Sequence, residues 1–101
     1  MALPKQPSIS PEAAEMLAVQ ALAFIAQDAE RLGRFLAVTG IGPAEIRQAA
    51  KEPHFLAGVL DHMAGDETLL LAFAAHAGVD PSTITRARAV LGAPPLDPEA
   101  V

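Results

Sequence analysis

A chain of 101 residues with 12 acids against 7 Lys and Arg, net charge −5, is one domain able to bury a core without metal or disulfide staples. With no cysteine, thiol catalysis, disulfides and thiolate metal sites are excluded. The acidic balance repels nucleic acid and anionic lipid on average, so only a local basic patch would reverse it.

Residues 1–9 read as a flexible Pro-containing arm, with a single Lys5 as its only cation. Ser10-Pro11 then pairs a cap with a proline at the first helical position, where a missing N–H costs nothing. The first helix is predicted to run to about Ala26, with Leu17, Ala21, Phe24 and Ile25 on one face. Met16, Val19 and Leu22 widen that face beyond what one packed contact needs. The run from Met16 to Ala26 follows Glu12 and Glu15, where an export signal needs cations. It also falls short of the roughly 20 residues that cross a bilayer. A cytoplasmic protein with no membrane contact is expected.

Asp28 caps a second helix that ends at Gly40, with Leu32, Phe35 and Leu36 at i, i+3, i+4 spacing. Gly33 inside it predicts close approach of a neighbouring backbone. Gly42-Pro43 starts a short third helix with Ile46, Ala49 and Ala50 inward. Pro53 opens a fourth, whose stripe is Phe55, Leu56, Val59, Leu60 and Met63, and Gly65 ends it. In the fifth, Asp66 is the cap, Gly78 the stop, and Leu69 to Ala75 an unbroken run of seven apolar residues. A helix greasy on every side has no face for water, so the expectation is a central helix wrapped by the others, or one partly buried in a partner subunit. Asp80-Pro81 starts the sixth, carrying Ile84, Ala87, Val90 and Leu91 and ending near Gly92. Residues 93–101 read as a disordered acidic tail. The predicted fold is all-α: a compact irregular bundle of five to six short helices around a central apolar helix, over residues 10–92.

Residues 21–43, ALAFIAQDAERLGRFLAVTGIGP, and residues 55–81, FLAGVLDHMAGDETLLLAFAAHAGVDP, carry a resemblance. Their most specific pieces are ERLGRFL, the T-G-I-G-P turn and the DE-x-LLLAF run at Asp66 to Phe73. Over about residues 12–92 the chain resembles DUF3572, a small bacterial family of unknown function. One departure is Ala29, where the family tends to place a proline. The resemblance implies no activity and no catalytic residues.

Several constellations could carry function. Thr39-Gly40-Ile41-Gly42-Pro43 is similar to the turn of helix-hairpin-helix DNA-binding modules, in which backbone N–H groups hold a phosphate. Such modules usually place a cation just past the proline, where Ala44 and Glu45 stand here. The simpler reading of Gly40, Ile41, Gly42 and Pro43 is a helix stop followed by a helix start. His54, Asp61 and His62 form a polar face on the fourth helix, and a metal site there lacks H-E-x-x-H spacing. His76 suits the negative end of the fifth helix. Only three serines and four threonines exist, none in a nucleophile-elbow context, and no phosphate-cradling glycine loop is present.

Apolar residues make up 51% of the chain and mean hydropathy is +0.31. Alanine inflates both figures, yet the first and fifth helices each show more than one apolar face. The expectation is therefore a non-enzymatic protein with no catalytic residues, cofactor or metal. It would act through protein–protein association, as a homodimer or with another protein, with Met16, Val19 and Leu22 on the associating helix. The alternative is a nucleic-acid-binding module using the TGIGP turn.

Overall fold

The computed structural model describes residues 9–92; residues 1–8 of the arm proposed over 1–9, and the whole tail proposed over 93–101, lie outside the described residues. Among the described residues the chain forms α1 (Pro11–Ala26), α2 (Ala29–Thr39), a 3-10 turn (Pro43–Glu45) running into α3 (Ile46–Ala49), α4 (Pro53–Ala64), α5 (Glu67–Ala77) and α6 (Pro81–Gly92), with no strand. The all-α bundle is as the periodicity predicts.

Local chemistry sets the boundaries. Ser10 Oγ accepts from the Ala13 N–H at 3.1 Å, and Pro11 occupies the first turn of α1. Asp28 accepts from the N–H groups of Glu30 and Arg31, so α2 begins at Ala29. Asp66 accepts from the Leu69 N–H and Asp80 from the Ser82 N–H. Gly40 (φ +74°) and Gly78 (φ +71°) end α2 and α5 in the left-handed conformation that favours glycine. Gly33 differs from its expectation: a Cβ there would meet nothing within 4 Å, so no backbone approaches it.

The core is built chiefly by α1, α4 and α6, which pack most extensively on one another. From α1 come Ala14, Leu17, Ala18, Ala21, Leu22 and Ile25, all buried. From α4 come Leu56, Val59, Leu60 and Met63, and from α6 Ile84 and Ala87. Phe35 of α2 and Phe73 of α5 are fully buried at its margins. Ile9, placed in the arm by sequence, packs against this core.

Among the described residues the largest share of the core comes from α1, and not from α5 as expected. In α5 only Leu69, Phe73 and Ala74 are buried; Leu71 is 49% exposed and Ala75 is exposed. Four of the residues from Leu69 to Ala77 are alanine, and an exposed methyl costs little, so the run tolerates a wet side that a leucine run would not. Buried alanines do the opposite work in α1. Ala14, Ala18 and Ala21 present a low surface on which neighbouring helices can settle closely.

Candidate functional site

With its inner face in the core, α1 leaves an outer face uncovered from end to end. Glu12, Met16, Val19, Ala23 and Ala26 are all exposed there, Met16 at 64% and Val19 at 46%. Their spacing alternates four and three residues, which places them in one straight seam on a helix meeting another helix. Leu22 is not part of it. At 7% exposure it sits in the core, because its position on the helix belongs with Ala18 and Ile25.

Two open grooves flank the seam and share Gln20. The N-terminal groove, about 500 Å³, has Met16, Val19, Ala50 and Leu56 as its apolar floor and Glu12, Glu15 and Lys51 at its rim. The C-terminal groove, about 400 Å³, runs between α1 and α5 past Ala23, Phe24, Gln27, Phe73 and His76. Here the Phe24 ring lies 5.6 Å from the Phe73 ring and 5.0 Å from the His76 imidazole. The guanidinium of Arg31 covers Phe24 at 5.1 Å from the ring centroid. No carboxylate lines this second groove.

The proposed polar face is divided. His54 and Asp61 border a groove of about 370 Å³ between α4 and α6, where Asp61 accepts from the Arg88 Nε at 2.6 Å. His62 instead lines a different cleft, its ring edge-on to Phe35 at 5.2 Å. The three residues do not converge, and among the described residues no group of three or more His, Asp or Glu is placed to hold a metal ion. His76, expected near the surface at the end of α5, is exposed.

In the TGIGP turn, Thr39 Oγ1 donates back to the Phe35 carbonyl at 2.9 Å and accepts from the Ile41 N–H at 3.4 Å. The Glu45 carboxylate folds over Gly42, its oxygen 3.2 Å from where a Cβ on that residue would stand. An N–H needed for phosphate is thus engaged by Thr39, and an acid hangs over the turn. The α3 helix that follows is four residues long, too short to carry a useful dipole.

Sequence reasoning missed a fourth cleft, of about 320 Å³, walled by α2 on one side and the α4–α5 corner on the other. Arg31, Arg34, His62 and Thr68 line it, with Asp66 and Leu69. The spacing of Arg31 and Arg34 along α2 was legible, but nothing local shows that α5 faces them. Between α5 and α6 the Asp80 carboxyl is held below its ordinary value by the Ser82 side chain and then the Ser82 N–H, as a helix cap should be.

Among the described residues no helix is long and apolar enough to cross a membrane. A protein-family model, described as a protein of unknown function (DUF3572), matches residues 11–94. No curated protein and no solved structure matches the chain.

Proposed function

The chain belongs to the DUF3572 family, and from that premise we propose that it is a non-enzymatic association module whose partner is a second copy of itself, docked along α1. The observation that carries this reading is the exposed four-three seam from Glu12 to Ala26.

Charge and size choose the occupant and its direction. The N-terminal groove is rimmed by Glu12 and Glu15, whereas the C-terminal groove has no carboxylate and contains His76. A parallel pair would stack acid on acid. An antiparallel pair about a two-fold axis near Val19 and Gln20 sets each acidic end beside the other copy's acid-free end. The same arrangement sets the large Met16 of one copy against the small Ala23 of the other, and Val19 near its own symmetry mate. Seams of this kind interlock large side chains into small gaps.

Full burial of a Met or Val side chain is worth about 2 kcal/mol, but Met16 and Val19 are already partly covered, so about half of that remains to be gained at each. Two of each give about 4 kcal/mol, at the low end of the roughly 4–15 kcal/mol that association costs in lost freedom. The dimer should therefore be weak and depend on the polar flank, dissociating on dilution. Sedimentation of the full chain tests it: a mass rising with concentration from 10.5 kDa toward twice that value is expected. Val19→Glu should weaken association at least tenfold, about 1.4 kcal/mol, with unchanged helicity. A chain that stays monomeric at every concentration, or a Val19→Glu variant that associates as wild type does, would remove this function.

A further inference from the structure

We infer that the cleft between α2 and the α4–α5 corner binds the oxyanion of a small ligand, a phosphate or carboxylate group held by Arg31, Arg34, His62 and Thr68. This is a different surface from the seam on α1, and it carries a different charge. In a chain of net charge −5, two of its arginines face one cleft from successive turns of one helix, with a histidine across from them. Like charges at i, i+3 repel, and such a pair is stabilised by an anion between its members.

The protein's own carboxylates leave that role open. No carboxylate of the described residues lies within ion-pairing distance of either Arg31 or Arg34. The one acid lining the cleft, Asp66, accepts from the Leu69 N–H at 3.2 Å as the cap of α5. Arg88 shows the contrast, since Asp61 neutralises it at 2.6 Å on another face.

Two of the donors are also braced before any ligand arrives. The guanidinium of Arg31 lies over the Phe24 ring, and the His62 ring stands edge-on to Phe35. Holding long or rotatable donors in place lowers the entropy that binding must overcome. Guanidinium groups present paired N–H donors that match two oxygens of a phosphate or carboxylate, and the Thr68 hydroxyl can complete the set. The cleft, about 320 Å³, suits a small ligand, and Arg34 at its open edge is where an entering anion would first be met.

The test is a 1H–15N NMR titration of the full chain at fixed ionic strength, with inorganic phosphate in one arm and succinate in the other. Saturable shifts at Arg34, His62 and Thr68 are expected in at least one arm. Saturation by phosphate alone assigns a phosphoryl ligand, by succinate alone a carboxylate, and by both the shared oxyanion site. Arg34→Gln should raise the apparent Kd at least tenfold, while Arg47→Gln, exposed and outside the cleft, should leave it unchanged. Shifts that stay linear in both arms, or saturation that survives Arg34→Gln, would overturn the site. Sedimentation of the same samples reports self-association separately, so neither reading can fail in place of the other.

Discussion

Glycine 33 and glycine 40 are seven positions apart and should respond oppositely to the same methyl group. At Gly33 the backbone is helical and the space around a Cβ is open, so Gly33→Ala removes only the freedom of the unfolded chain. It should raise stability by about 0.5–1 kcal/mol. At Gly40 the space is also open, but φ is +74° and a side chain there is strained. Gly40→Ala should cost about 1–2 kcal/mol despite touching nothing. Urea midpoints of the two variants, with equal m-values, check both signs. A stabilised Gly40→Ala would mean that α2 ends in some other conformation.

At the scale of elements, α5 behaves as a rim helix with one anchored side. Phe73 is fully buried against Phe24, so Phe73→Ala should cost about 3–5 kcal/mol. Leu71 is two residues away and 49% exposed, so Leu71→Ser should fall within about 0.5 kcal/mol of wild type. Thermal melts of the pair decide between a rim helix and a wrapped one, for which both changes would be severe. The contrast also shows where sequence was a good guide and where it was not. Caps, prolines and left-handed glycines act within one turn, and so the helix boundaries were readable at Ser10, Asp28, Gly40, Asp66 and Gly78. Which helix lies innermost depends on the shapes of its neighbours. An alanine-rich run carries the same hydrophobic pattern whether buried, as at Ala18, or wet, as at Ala75.

For the whole molecule, the sites follow the same division. Met16 and Val19 stood out because a helix with too many apolar faces must leave one outside, whereas Leu22 was assigned outward when α1 turned it inward. The grouping of His54, Asp61 and His62 failed because adjacent helical positions lie about 100° apart, and Asp61 and His62 look into different clefts. The cleft of Arg31 and Arg34 needed the placement of α5, which no single segment encodes. Removal of α6 tests the core as a unit. A chain ending at Asp80 loses Ile84 and Ala87 and the faces of α1 and α4 they cover. It should lose its cooperative melt and bind a hydrophobic dye while keeping part of its helical circular dichroism. A cooperative melt in that shortened chain would place the core elsewhere.

The close packing of α6 on both α1 and α4 also bears on how the molecule is made. A ribosome delivers α1 first and α6 last among these helices, with every other element emerging in between. Throughout that interval the earliest helix is translated without one of its principal neighbours, and its oily side stays open to passing chaperones or to another nascent copy.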